Sequence, residues 1–419
     1  MNHFTYRQNE MYCEDVPIKK IAKEVGTPFY IYSYATLKRH FCAFDKAFEG
    51  IKRLVCYSAK ANSNLAILTL LKNLGSGLDI VSGGELFRGV KAGILPDKIV
   101  YSGVGKRIDE IDYALESGIL MFNVESLEEL DLIDNRAGFL RKKAAVAIRV
   151  NPDVDPQTHP YISTGLKKNK FGIDTKTSIK GYKAARALKN IEIIGIDCHI
   201  GSQITKVQPF KDALKSLKSL ITELKKIGVE IKYLDMGGGL GITYDDESPP
   251  QLNEYAKAIV ESLKETDLQL ILEPGRVIVG NAGILVTRAL FRKSTSAKKF
   301  VIVDAGMNDL LRPTLYDAFH SIWPVVKSDD EFVKADIVGP ICESSDFLAA
   351  DRKVPDVKNG DLIAVMSAGA YGFAMSSNYC SRLKVAEVMV RDNRFHVVTQ
   401  RQGYEDLVRG ESVPPFISI

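Results

Sequence analysis

The chain has 419 residues, 45% of them hydrophobic and 26% charged, with a formal net charge of +4. These proportions are ordinary for a globular protein, and the length suggests about two to three domains. So small a charge excess points to no nucleic-acid or membrane partner, and the basic cluster Lys167-Lys168-Asn169-Lys170 reads as a solvated loop. The six cysteines (Cys13, Cys42, Cys56, Cys198, Cys342, Cys380) are scattered with no CxxC pair, which argues against a disulfide framework and a structural zinc site. Residues 1–15 lack the apolar core of a signal peptide. Glu273 and Arg276 interrupt the best apolar stretch short of the ~18 residues a membrane span needs. A cytoplasmic protein is the expectation.

In chain order, residues 18–25 carry a short amphipathic helical pattern, and Pro28-Phe29-Tyr30-Ile31-Tyr32 reads as a strand. Short apolar runs then alternate with helical stretches. The runs at 54–57, 78–81, 99–101, 120–124, 145–150, 193–198, 233–236 and 270–272 read as strands. Helical patterns lie between them, as at 108–117, 126–135, 180–188 and 210–227. About eight such units over ~250 residues predict a closed (β/α)8 TIM barrel. Past Asn281 the texture changes to strand-like segments at 283–292, 299–304, 331–338, 361–365, 382–391 and 394–400, with one short helix near 316–321. The expected division is an N-terminal segment (1–32), a barrel domain (33–282) and a β-rich C-terminal domain (283–419). The N-terminal segment has no barrel position to fill and is expected to pair with the β domain.

Barrel active sites are built at the carboxyl ends of the strands. The first strand leads into Tyr57-Ser58-Ala59-Lys60-Ala61-Asn62, placing Lys60 on the turn into the next helix. A lysine there can be desolvated and act as an amine nucleophile, although a single lysine in such a loop is more often just solvated. The sixth strand ends in His199-Ile200-Gly201-Ser202-Gln203, the seventh in Gly237-Gly238-Gly239-Leu240-Gly241 and the eighth in Glu273-Pro274-Gly275-Arg276. Glycines let backbone amides approach an anion closely, and the loop after strand seven is where barrels often hold phosphate. A bare glycine run is otherwise a tight turn. His199 suits either a packed core histidine or a ring stacked on a planar cofactor, and no second His or Cys stands at metal-ligand spacing, so no metal is expected. Glu273 needs a partner if buried, and Arg276 is one candidate. A lysine amine, a phosphate cradle, a flat imidazole and a buried acid together describe a pyridoxal 5'-phosphate site, where the acid keeps the pyridine nitrogen protonated.

These four motifs, in this order, resemble the alanine-racemase-type barrel decarboxylases of basic amino acids. Within that family, Arg312-Pro313-Thr314-Leu315-Tyr316 and Gly339-Pro340-Ile341-Cys342-Glu343-Ser344-Ser345-Asp346 resemble the diaminopimelate decarboxylases, and the likeness covers nearly the whole chain. The resemblance implies decarboxylation of meso-2,6-diaminopimelate to L-lysine. It implies that Lys60 holds the cofactor, that His199 stacks on its ring, and that Glu273 faces the ring nitrogen. Ser202, Gly237, Gly238, Gly239, Gly275, Arg276 and Tyr371 would then surround the phosphate. Arg276, Arg312, Tyr316, Glu343 and Tyr371 would hold substrate and Cys342 would donate the proton. It also implies a homodimer with active sites shared between subunits. Asn169 is a departure, since that family more often has Ser there, and it touches no catalytic role. The nearest alternative is a decarboxylase of ornithine, lysine or arginine, which needs only an acidic group distally and leaves Arg312 unexplained. A racemase on this barrel would carry arginine where Glu273 stands, and a non-catalytic cofactor carrier would lack the β domain.

Overall fold

The computed structural model describes residues 2–155, 170–327 and 332–417. Asn169 and its basic neighbours Lys167 and Lys168 lie outside the described residues. The chain divides into two compact units, Leu37–Gly280 and Met1–Thr36 together with Asn281–Ile419.

Leu37–Gly280 holds eight parallel strands: Arg53–Ser58, Gly77–Ile80, Ile99–Tyr101, Met121–Val124, Ala144–Asn151, Ile191–Asp197, Tyr233–Asp235 and Gln269–Leu272. Each pairs with the next, and the eighth returns to the first through Leu270↔Arg53, Ile271↔Leu54 and Leu272↔Val55, so the barrel is closed. A two-residue strand, Ile173–Asp174, adds to the edge of the fifth. The strands fall where the apolar runs predict them, with ends shifted by at most two residues. Parallel strands covered on both faces read as continuous apolar runs, and the third, Ile99–Tyr101, is wholly buried. Several connecting helices start on side-chain caps. Ser82 and Ser126 accept from the amides of Glu85 and Glu129, and Asn64 and Asp174 do the same for their helices.

Side chains alternate along a strand with period two, and this alternation builds the barrel interior in layers. Cys56, Val100, Met121, Ala147, Tyr233 and Ile271 form one buried apolar cluster. Two residues nearer the carboxyl end on each of these strands, the side chains are Ser58, Ser102, Asn123, Arg149, Asp235 and Glu273, all buried. Asp79 and Asp197 stand two residues beyond Gly77 and Gly195 and are buried too. The barrel therefore has an apolar middle and a buried polar layer at its carboxyl end.

The other unit is β-rich. Phe29–Ser33 pairs antiparallel with Gly283–Ser294 and parallel with Ala386–Arg391, tying the N-terminal segment into the C-terminal sheet. Its core includes Phe29, Ile31, Ile284, Val286, Ala386 and Val388. The expected helix near 316–321 lies instead at Arg312–Tyr316, where Pro313 in the first turn presets a helical φ. Strands at Ile322–Pro324 and Phe347–Pro355, and a small antiparallel sheet of Phe4–Arg7, Glu10–Cys13 and Val16–Pro17, were not anticipated by the sequence pattern. Among the described residues no helix is long and apolar enough to cross a membrane.

Candidate active site

Lys60 sits in the single 3-10 turn Ala59–Ala61 that follows the first barrel strand. Its flanking residues Ala59 and Ala61 are buried, and Lys60 itself is partly exposed. Its ammonium meets Asp79 Oδ2 at 2.6 Å, and the Ser58 hydroxyl donates to the same oxygen at 2.6 Å. Asp79 Oδ1 is buried with no hydrogen-bond partner among the described residues. Lys60 is thus a directed amine paired with a buried acid on the neighbouring strand, unlike a solvated loop lysine.

Glu273 ends the eighth strand within the polar layer. Ser102 Oγ donates to Glu273 Oε1 at 3.3 Å and Asn123 Nδ2 reaches the same oxygen at 3.5 Å. Burial, then the neighbouring Asp235, Asp79 and Asp197 carboxyls, push the Glu273 carboxyl well above the usual carboxylate range. Arg276, offered by the sequence as a partner for Glu273, points elsewhere in its described contacts. Its guanidinium donates to Tyr244 OH at 2.7 Å and to Ser202 Oγ at 3.0 Å. Arg149 lies across the barrel with Nη1 on Glu125 Oε1 at 2.5 Å and Nε at 3.9 Å from Asp197.

The glycine run is held where no other residue fits. A Cβ on Gly238 would lie 2.2 Å from the Glu273 carbonyl oxygen, and one on Gly239 would lie 2.4 Å from the Gly201 carbonyl oxygen. Gly239 also has φ of 107°, a left-handed conformation costly for any side chain. The Gly238 amide donates to His199 Nδ1 at 3.1 Å, leaving the ring proton on Nε2. Burial, then the charges of Arg149 and Lys60, hold the His199 pKa well below the usual range, so the ring is neutral and flat-faced. His199, Ser202, the glycine run and Arg276 are therefore one connected cluster at the carboxyl ends of strands six to eight.

The remaining predicted residues belong to the β-rich unit. Arg312 is buried, its Nη1 donating to His320 Nε2 at 2.9 Å. Thr314 Oγ1 on the same short helix donates to Ser345 O at 2.7 Å, fastening the helix to the loop that carries Cys342 and Glu343. The Asp346 carboxylate closes that loop by accepting from the amides of Met307 and Ile341, each at 2.6 Å. Cys342 and Glu343 are exposed, and Glu343 accepts from Tyr379 OH. Tyr316 is half-buried. Tyr371 holds φ of 56°, a strained value for a non-glycine residue of the kind that collects at ligand sites.

Sequence reasoning missed Asp79, Asn123, Arg149, Asp197, Asp235 and Tyr379. Most of these lie inside short strands whose apolar neighbours dominated the reading. The available signal was a lone polar residue two places beyond a small or apolar inward residue, repeated on strand after strand.

The barrel residues fit pyridoxal phosphate. They offer an amine at the strand end, a neutral flat ring, a buried acid, and a loop whose glycines leave no room for a Cβ. Residues 34–280 match a family described as pyridoxal-dependent decarboxylase, pyridoxal binding domain. The diaminopimelate decarboxylase of Aquifex aeolicus is 51% identical over 410 residues, covering 97% of this chain and 96% of that protein. The crystal structure of the diaminopimelate decarboxylase from m. jannaschii, in co-complex with L-lysine, superposes with a TM-score of 0.94 at 38% identity, covering 99% of this chain and 100% of that one. The Helicobacter pylori diaminopimelate decarboxylase complexed with L-lysine gives a TM-score of 0.91 at 44% identity, covering 94% of this chain and 98% of that one. By near-full-length similarity and by the pyridoxal-binding barrel it carries, the chain belongs to the pyridoxal-dependent decarboxylases, among the diaminopimelate decarboxylases.

Proposed function

We propose that this chain decarboxylates meso-2,6-diaminopimelate to L-lysine and CO2, the last step of lysine biosynthesis. The observation that carries the reading is the convergence of Lys60, His199, the Gly237–Gly239 loop and Glu273 on one end of a barrel whose relatives share its full length. When bound, pyridoxal phosphate supplies an electron sink for the carbanion left by loss of CO2. Lys60 Nζ would hold the cofactor covalently, with Asp79 placed to accept its proton. His199 would stack on the ring, and Glu273 would hold the proton of the ring nitrogen. Ser202, Gly237, Gly238, Gly239, Gly275, Arg276 and Tyr371 bind phosphate through amides, hydroxyls and one guanidinium.

Diaminopimelate carries both a carboxylate and an ammonium at its distal end, so recognition needs a cation and an anion. Arg312 with Tyr316 supplies the first and Glu343 the second, and Arg suits a carboxylate because it can bind bidentately. Arg276 and Tyr371 complete the substrate contacts, and Cys342 Sγ returns a proton to the reacting carbon. The protein works in the cytoplasm as a homodimer whose two sites are shared between subunits.

The test is CO2 release from meso-diaminopimelate, L-ornithine and L-lysine, each with wild type and Lys60→Ala. Diaminopimelate is expected to react at least about 10²-fold faster than the others, because a site built around a buried polar clamp rejects ligands lacking its partner. Lys60→Ala should lose the yellow cofactor band and turnover together. Preference for ornithine would overturn the substrate, and normal turnover without Lys60 would overturn the site.

A further inference from the structure

Behind Glu273 stands a set of buried groups that makes no contact with substrate in the mechanism above. Asp235 is fully buried on the seventh strand and accepts on both carboxyl oxygens. Oδ1 takes the Gly237 amide at 2.9 Å and Oδ2 takes Asn123 Nδ2 at 3.2 Å. The same Asn123 amide reaches Ser102 Oγ at 3.1 Å and Glu273 Oε1 at 3.5 Å. Ser102 in turn donates to Glu273 Oε1 at 3.3 Å. Both hydrogen bonds from these neutral donors thus land on Oε1 of Glu273, and the Asp235 and Glu273 carboxyls also meet directly in a side-chain hydrogen bond.

We propose that Asp235, acting directly and through Asn123, is a positioning residue that fixes the Glu273 carboxyl and supports the proton at the cofactor's ring nitrogen. The proposal rests on the reading that Glu273 faces that nitrogen. Two properties of Asp235 suit it to the task. Only a carboxylate accepts from two donors at once, one on each oxygen, so an amide in its place must break one bond or the other. A second negative charge beside Glu273 also favours a cation on Glu273's far side, and two adjacent carboxyls do not both ionise without one. The charged groups facing Glu273 are Asp235, Asp79 and Asp197 on other barrel strands, Lys60 on the first-strand turn and Arg149 on the fifth strand, so acids outnumber the two cations. A protonated ring nitrogen restores part of that balance. Asp235 also fixes the start of the glycine loop through Gly237, and the Glu273 amide donates to Gly237 O at 2.8 Å. One residue therefore orients both the acid and the loop next to it.

The experiment loads wild type, Glu273→Gln, Asp235→Asn and Asn123→Leu with pyridoxal phosphate labelled with 15N in the ring and records the nitrogen chemical shift. Turnover is measured beside it. Glu273→Gln calibrates the signal. If that variant keeps the wild-type shift, Glu273 does not face the nitrogen and the reading beneath this inference is wrong. With the calibration in hand, Asp235→Asn and Asn123→Leu should each move the signal toward the unprotonated value. Each should lower kcat by about 10- to 100-fold with KM within about twofold, the scale at which such outer groups act. The double variant should fall short of the product of the two single losses, because both residues hold the same carboxyl. A shift in Glu273→Gln with none in either Asp235→Asn or Asn123→Leu would overturn the proposal and leave Asp235 as a structural cap for Gly237. Asn123→Leu leaves the Gly237 bond untouched, so it decides the matter even if Asp235→Asn folds poorly.

Discussion

Arg312 is held in place before any substrate arrives. The residue is 6% exposed, and its guanidinium donates to His320 Nε2, whose other nitrogen donates to Met366 O at 2.8 Å. Such a guanidinium loses little freedom on meeting a carboxylate, and lysine in its place could not reproduce the planar fork. Arg312→Ala should therefore cut kcat/KM for diaminopimelate by about 10²-fold or more, by leaving a substrate carboxylate unpaired. The cofactor absorbance should stay as in wild type. A loss below about threefold would make Arg312 a structural partner of His320 and reopen the choice of substrate. At this scale the sequence was partly legible. Lys60, His199, Glu273 and Arg276 could be read because they stand just past strand ends, where polar residues interrupt the pattern. Asp79 in Gly77-Leu78-Asp79-Ile80 and Asn123 in Met121-Phe122-Asn123-Val124 could not, because each sits inside a strand of four residues and its inward direction follows only from the closed barrel. The expected Glu273–Arg276 pairing was a neighbour-in-sequence inference, and the described contacts send the two side chains to different partners.

Among elements, the loop after strand seven has the tightest constraint. Adding one methyl at Gly238 sets a carbon 2.2 Å from the Glu273 carbonyl oxygen, and neither backbone can give way without moving the ends of strands seven and eight. Gly238→Ala should lower pyridoxal phosphate affinity by at least about 10-fold, the cost of displacing a binding loop by a fraction of an ångström. Gly105→Ala is the control, because its Cβ meets nothing within 4 Å and it should bind cofactor like wild type. Fluorescence titration of the cofactor-free proteins compares the two, and equal affinities would remove the loop from the phosphate site. The barrel strands were legible because each is a short apolar run at steady spacing. The strand Phe347–Pro355 was not, since Asp351, Arg352 and Lys353 break its apolar pattern where it pairs antiparallel with Phe332–Val338. The helix Gly83–Lys91 was hidden by its opening glycines, and it forms on the Ser82 cap with Gly89 seated against Leu78, where a Cβ would come within 2.6 Å.

At the scale of the whole molecule, Lys60, His199 and Glu273 lie in one compact unit and Arg312, Cys342 and Glu343 in the other. The proposed homodimer makes a specific claim about which copy supplies each set, namely that the Cys342 loop serves the partner's barrel. Complementation tests this without further structural work. Lys60→Ala and Cys342→Ala should each be nearly inactive as homodimers. Mixed in equal amounts, dissociated and reassociated, they pair at random into about half heterodimers. In each heterodimer, one site carries both substitutions and the other carries neither. Activity should therefore return to roughly a quarter of wild type if subunits exchange freely. Exchange can be followed independently by mass-tagging one variant. Exchange without recovery of activity would mean that Lys60 and Cys342 of the same chain build each site, and the shared-site dimer would be discarded.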